Sequence, residues 1–288
     1  MKSIIENKIK CPVCGYNVQL STENASCGKD HHFTIKNGVY QILKPQFKVE
    51  LEQYLHAFED FRKPFTDLID PNWFKDLPFV DFDQEQWNLR KLDMSLIEKL
   101  KLKRGKALDV GAWTGWLSNR LVGLGFKVTA VDFFIHHLDG LGANRYFNNK
   151  WLSIQMDLND LSIINQKFDL IIVNRSLQYF INLDKTIQDL ISLLNNGGTL
   201  LLTGVSYQKN PKSIISHLKT VDESFMGTYQ TSLKIVPFKG YLEIDDLNIL
   251  KRSGINLFLY KQLRLKSMLG HLYHKKPIYY YGVYSKSE

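Results

Sequence analysis

"LDVGAWTGWLSNRL" occupies residues 108–121 and places Gly111 and Gly115 on either side of a tryptophan. An apolar run ends at Asp109 and Val110, the glycines follow, and Leu117, Leu121 and Leu124 then fall on one helical face. That order predicts a buried strand, a tight turn and a helix. Glycines at such a turn let the backbone come close to a ligand.

The same alternation continues on both sides of this stretch. "KALDVG", "KVTAVD", "WLSIQMD", "FDLIIVN" and "GTLLLTG" are apolar runs of strand length, and helical patterns such as "LDKTIQDLISLLNNG" separate them. Strands alternating with helices predict a doubly wound, mostly parallel sheet that binds ligands at the carboxyl ends of its strands. Asp109, Gly111 and Gly115 then form the turn. Asp132, which ends the second strand, is placed to hold both hydroxyls of a ribose. A dinucleotide fingerprint would need G-x-G-x-x-G, whereas Gly111-Ala112-Trp113-Thr114-Gly115 supplies only two glycines, so a nicotinamide site is unsupported.

The chain has 288 residues, 44% hydrophobic and 23% charged, enough for one large core and a small module. Its net charge is +8, and the last 38 residues carry eight Lys or Arg against one Glu. This lopsided tail fits an anionic partner such as RNA, a phosphorylated substrate or a membrane surface, or a solvated basic loop. "MKSIIENKIK" lacks an apolar stretch of signal-peptide length and no apolar run is long enough to span a bilayer, so the sequence reads as cytoplasmic.

All three cysteines lie within the first thirty residues, spaced Cys11-x2-Cys14-x12-Cys27-x3-His31. In a reducing compartment this favours a structural zinc ion over a disulfide. His32 competes with His31 as fourth ligand, and the three-residue gap selects His31. "HFTIKNGVYQIL" completes the module as a hairpin turning at Asn37-Gly38. "VELEQYLHAFEDFRK" predicts an amphipathic helix ended by Pro64, and "DQEQWNLRKLDMSLIEKLKL" predicts a second. Past Gly204, a polar segment to Gly240 takes the place of an insertion covering the substrate. "EIDDLNILKRSG" then predicts a helix, and "INLFLYKQL" and "PIYYYGVYSK" the last two strands. Between those strands, "RLKSMLGHLYHKK" interleaves apolar and basic residues in the manner of a membrane-surface or phosphate-facing loop.

Taken in order, "LDVGAWTGWLSNRL", "VTAVD", "MDLNDL", "FDLIIVNRSLQYF" and "LLNNGGTLLLTG" resemble the successive motifs of class I S-adenosylmethionine-dependent methyltransferases of the UbiE or methyltransferase type 11 kind. The resemblance implies a Rossmann-like fold with a seven-stranded, mostly parallel sheet. It places Asp109, Gly111, Ala112 and Gly115 around the methionine part of S-adenosylmethionine and Asp132 with Phe133 at the ribose. Asp157 and Leu158 fall at the adenine, and Asn174 beneath the sulfonium. "CPVC…CGKDH" resembles the zinc ribbon of large-subunit rRNA guanine methyltransferases. The organisation is then a ribbon over 1–45, a helical cap over 46–102 and the methyltransferase domain over 103–288. Trp113 departs from the pattern, standing where the family usually has a glycine. Gln178 stands where relatives often have histidine, so no general base is carried over to it.

A sulfonium is an activated donor, so the protein has chiefly to align donor and acceptor and exclude water. Where a base helps, His136, His137 and Tyr179 are the candidates, lying after the second and fourth strands. The expected acceptor is a small or lipid-linked molecule. RNA is the second reading, drawn from the ribbon and basic tail, and a non-catalytic binding protein is the third.

Overall fold

Phe168–Asn174 forms a strand that is buried almost throughout, as an apolar run must be when both faces of its sheet are covered. In this computed structural model, which describes residues 8–81, 84–263 and 277–287, that strand lies near the middle of a nine-stranded sheet.

The chain begins with β1 (Ile9–Lys10), β2 (Asn17–Leu20), β3 (Ala25–Cys27) and β4 (His32–Phe33), a small antiparallel sheet in that order. A hairpin of β5 (Ile35–Lys36) and β6 (Val39–Gln41) follows, then α1 (Pro45–Thr66) and α2 (Gln84–Lys99). The doubly wound part consists of β7 (Lys106–Val110), α3 (Trp116–Gly123), β8 (Lys127–Asp132), β9 (Leu152–Gln155), β10 (Phe168–Asn174), α4 (Leu183–Ser192) and β11 (Leu194–Tyr207). Last come α5 (Lys212–Tyr229), α6 (Ile244–Arg252), β12 (Asn256–Leu259) and β13 (Ile278–Ser285).

The large sheet runs β12-β13-β11-β10-β7-β8-β9-β6-β5. Strands β11, β10, β7, β8, β9 and β6 are mutually parallel, and β13 is antiparallel to both its neighbours. The expected seven-stranded, mostly parallel sheet is therefore present as β7 to β13. Its order reverses between β7 and β10, which opens a crevice at their carboxyl ends.

The ribbon extends this sheet. β6 pairs in parallel with β9, Val39 opposite Ser153 and Gln41 opposite Gln155, and the backbone N–H of Ile42 donates to the Gln155 carbonyl at 2.9 Å. Inside, the Gln41 side chain donates to Gln155 at 2.6 Å, and Gln155 donates to the Phe133 carbonyl at 2.8 Å. Ile9, Val18, Leu20 and Ala25 of the ribbon belong to the same buried apolar cluster as Ile154, Ile171 and Leu200 of the sheet.

Three local expectations shift. The first helix continues past Pro64 to Thr66, because a proline near the end of an exposed helix removes only one internal bond. The helix expected to close at Gly197 stops at Ser192, since Leu194 already pairs with Phe168 in the sheet. The sixth strand is shortened to Asn256–Leu259, with a 3-10 turn at Lys261–Leu263. The basic stretch over 264–276 lies outside the described residues, and no helix among the described residues is long and apolar enough to cross a membrane.

Ile42 is 1% exposed and sits where ribbon and sheet cores merge. Ile42→Ala should cost about 2–5 kcal/mol. Urea unfolding followed by tryptophan fluorescence, which reports the sheet side, should show the loss as a lower midpoint of the main transition.

Candidate active site

A cavity of about 650 Å³ opens at the carboxyl ends of β7, β8 and β10. Its floor is the turn quoted at the outset, where Gly111 and Gly115 have φ of 72° and 79°. A Cβ on Gly115 would lie 2.5 Å from the Trp151 ring, so that position has no room for a side chain. Trp113 between them also adopts a left-handed φ of 51°. This conformation turns the indole onto Trp87 of α2, with ring centroids 6.0 Å apart and an interplanar angle of 21°. Its Nε1–H donates to Asp139 at 2.8 Å, and Arg62 of α1 donates to the same carboxylate at 2.8 and 3.1 Å. The tryptophan at the glycine position is thus anchored by the cap.

Asp132 ends β8 with both oxygens engaged. Oδ2 accepts the Trp113 N–H at 2.7 Å and Oδ1 the Phe134 N–H at 3.0 Å. Burial raises its carboxyl to about 6 against the opposing pull of those backbone N–H groups. Asp109 is 1% exposed, and its Oδ2 accepts from Ser118 at 2.7 Å. Among the described residues its buried Oδ1 has no hydrogen-bond partner. Burial pushes Asp109 up to about 7, Ser118 opposing and the Asp132 charge adding to the rise. A buried carboxylate with one open oxygen, flanked by a second, fits a ligand bearing a cationic donor and hydroxyls.

Ala112, Phe133, Asp157, Leu158 and Asn174 also line the cavity. Asp157 Oδ1 accepts from the Asn159 backbone at 2.9 Å, which shapes the loop after β9. Asn174 donates to Asp93 at 2.9 Å and to Thr203 at 2.7 Å. Of the three candidate bases, Tyr179 lines the cavity and is half-exposed, packing edge-on against Phe238 at 5.2 Å. His136 is instead held in the loop after β8, its Nδ1 accepting from the backbone of Leu138 and Asp139 at 3.3 and 3.1 Å. Burial lowers its pKa, and the neighbouring His137 adds to that. Neither histidine lines the cavity.

The roof is aromatic. Tyr54, Phe58 and Phe61 project from α1, and Phe61 meets Phe225 of α5 edge-on at 5.3 Å. Tyr54 Oη donates to the Leu233 carbonyl at 2.9 Å, and Tyr229 Oη to Asp60 at 2.8 Å. The segment after Gly204 therefore contributes a helix that closes over the cavity together with α1. Sequence reasoning did not single out Arg62, Trp87, Arg90, Asp93 or Asp139. These come from helices and loops remote in sequence and carry no motif of their own.

In the ribbon, Cys11, Cys14, Cys27 and His31 converge, their ligand atoms all within 4.8 Å of one another. Cys27 Sγ lies 3.3 Å from His31 Nδ1 and 3.5 Å from Cys14 Sγ. His31, rather than the exposed strand residue His32, joins the three sulfurs.

Residues 84–216 match a family described as a methyltransferase domain. This segment is a methyltransferase domain. Among curated relatives, the chain is 33% identical over 100 residues to the malonyl-[acyl-carrier protein] O-methyltransferase of Buchnera aphidicola, covering 35% of this chain and 39% of that protein. It is 28% identical over 198 residues to the ubiquinone biosynthesis O-methyltransferase of Coxiella burnetii, covering 62% of this chain and 83% of that one. The chain thus spans about two fifths of the first relative's length. Among solved structures, a Haemonchus contortus phosphoethanolamine N-methyltransferase 2 in complex with S-adenosyl-L-methionine aligns at TM-score 0.47 and 14% identity, over 75% of this chain and 57% of that one.

The buried carboxylates give the protein a pH signature. Asp109 rises from 3.8 to about 7 on folding, so between those values the folded state holds more protons than the unfolded chain. Its contribution to stability is full below about pH 4 and is lost as pH rises through 7. Asp109→Asn should flatten the stability profile between pH 4 and 7 and raise the urea midpoint at pH 8, measured without ligand.

Proposed function

We propose that the protein transfers a methyl group from S-adenosylmethionine to an oxygen of a small-molecule or lipid-linked acceptor. One observation carries this reading: one cavity is acidic at its strand-end floor and aromatic at its helical roof. Its volume falls within the roughly 300–1,000 Å³ usual for small-molecule sites. The names of the two relatives, both O-methyltransferases, support an oxygen acceptor.

In this reading Asp109 receives the ammonium of the methionine part on its open Oδ1, and Gly111, Ala112 and Gly115 let the backbone approach. Asp132 accepts from the ribose hydroxyls beside Phe133, Asp157 and Leu158 border the adenine, and Asn174 lies beneath the sulfonium. The bound donor supplies an activated methyl group. The residues supply alignment and exclusion of water, for which the α1 aromatics and Leu218 of α5 are placed. Of the three candidate bases Tyr179 alone is on the cavity wall, and proton transfer to it would raise the rate about 10²–10⁴-fold.

Asp132→Ala should weaken S-adenosylmethionine binding by about 1.5–3 kcal/mol, the worth of charge-assisted hydrogen bonds. Calorimetry on a folded variant checks this, and unchanged affinity refutes the assignment. Wild-type affinity should fall as pH drops through about 6, where Asp132 takes up a proton. Incubating the protein with methyl-labelled donor and a cell extract, then separating small-molecule, lipid and RNA fractions, tests the acceptor class. Label confined to RNA would overturn the small-molecule reading.

The ribbon, we infer, holds a structural zinc ion through Cys11, Cys14, Cys27 and His31. Zinc ligands in a tetrahedron lie about 3.3–3.8 Å apart, which the observed contacts match. Burial raises the Cys27 thiol, but the backbone N–H groups of Lys29 and His31 outweigh it and bring the group to about 6, favouring a thiolate ligand. Metal analysis of purified protein should return one zinc per chain, and Cys14→Ser should lose it.

A further inference from the structure

Arg175 follows β10 directly and is built into the cavity wall with unusual care. Its backbone is left-handed, φ 57°, a conformation that bulky residues rarely adopt and that collects at functional positions. Hydrogen bonds fix it on both sides: its N–H donates to the Thr203 carbonyl at 2.9 Å, and Gln178 Nε2 donates to its carbonyl at 2.8 Å. The side chain then crosses Gly204, where a Cβ would lie 2.4 Å from Arg175 Cγ and 2.9 Å from Cζ. Only glycine leaves space for that path.

Behind the guanidinium stands Asp93 of α2, which is fully buried. Asp93 Oδ2 accepts from Arg175 Nε at 2.9 Å and from Asn174, and Oδ1 accepts from Tyr260 Oη at 2.5 Å. Tyr260 Oη in turn accepts the Gly204 N–H at 2.9 Å, and the Tyr279 ring lies 5.5 Å below the guanidinium carbon. Asp93 thus engages only Nε. Among the described residues no hydrogen bond reaches either Nη of Arg175, which lines the cavity. A counterion needed merely to neutralise Asp93 would require neither a left-handed backbone nor a cleared glycine.

A guanidinium anchored through Nε presents its two Nη groups as a fork suited to a carboxylate or phosphate. In the reading above, the methionine part of a bound S-adenosylmethionine is assigned to the turn after β7, so its carboxylate does not call on Arg175. Arg175 stands instead beside Asn174, at the proposed site of transfer. We infer that Arg175 binds an anionic oxygen group, carboxylate or phosphate, on the methyl acceptor. This rests on the methyl-transfer reading above. It narrows the acceptor to an acid and makes Arg175 a specificity residue, with Asp93 and Gly204 as positioning residues.

The test uses the full chain, with and without S-adenosylhomocysteine, and three matched probes: phenylacetate, phenyl phosphate and the neutral phenylacetamide. Calorimetry should show at least one of the two anions binding about tenfold or more tightly than the amide. Arg175→Gln should abolish that preference while leaving S-adenosylhomocysteine affinity unchanged. The anion preferred then distinguishes carboxylate from phosphate. Should Arg175→Gln not fold, Arg175→Lys keeps a charge beside Asp93 but lacks the fork, and must shrink the preference. Equal binding of anions and amide by the wild type, including no binding of any probe, overturns the inference, as does a preference that survives in a folded variant. Failure of the wild type to bind S-adenosylhomocysteine counts against the methyl-transfer reading instead, and the anion–amide comparison on the protein alone still decides the role of Arg175.

Discussion

The Asp132 carboxylate, accepting the N–H groups of Trp113 and Phe134, joins the two loops on which the site is built. One loop leaves β7, beside the place where the sheet order reverses, and the other leaves the neighbouring β8. A carboxylate buried this deeply is costly unless it is hydrogen-bonded, so the bonds that hold the loops also make the charge tolerable. Asp109 lies one strand away with one oxygen open, and mutual repulsion helps raise its pKa. Two acids held close inside a sheet favour a cationic, hydroxyl-bearing partner there over an anionic one.

Around this floor the chain has placed aromatic and charged groups from distant segments. Trp113 occupies a position where small residues are the rule for this kind of turn, and its indole is drawn out of the way by Trp87 and Asp139. That arrangement depends on α1 and α2, which carry Arg62, Trp87 and Arg90 to the rim. The cap is consequently part of the cavity's side wall as well as of its roof. Asp93 plays a similar part on the opposite wall, linking α2 to the ends of β10 and β11 through Asn174 and Arg175.

The ribbon is tied in as firmly. Its hairpin strand β6 continues the sheet beyond β9, and Gln41 and Gln155 carry a chain of hydrogen bonds to the carbonyl of Phe133, next to Asp132. The Cys/His module and the parallel sheet therefore share one core. Reading residues 1–45 as a module anticipated the convergence of Cys11, Cys14, Cys27 and His31 but not this continuity, because a three-residue strand such as Val39–Gln41 carries no mark of the strand it will pair with.

The sequence by itself determined the alternating strands and helices of the sheet, the glycine turn, Asp109, Asp132 and the Cys11-Cys14-Cys27-His31 set. Each rests on local physics: period-two and helical burial patterns, positive-φ glycines, and ligands brought near by short spacing. The tertiary structure alone decided which histidines stay outside the cavity, how Trp113 is accommodated, that β6 extends the sheet, and that Asp93 stands behind Arg175. Those outcomes depend on contacts between residues such as Asp93 and Tyr260, 167 positions apart, and local patterns do not encode which distant surfaces will meet.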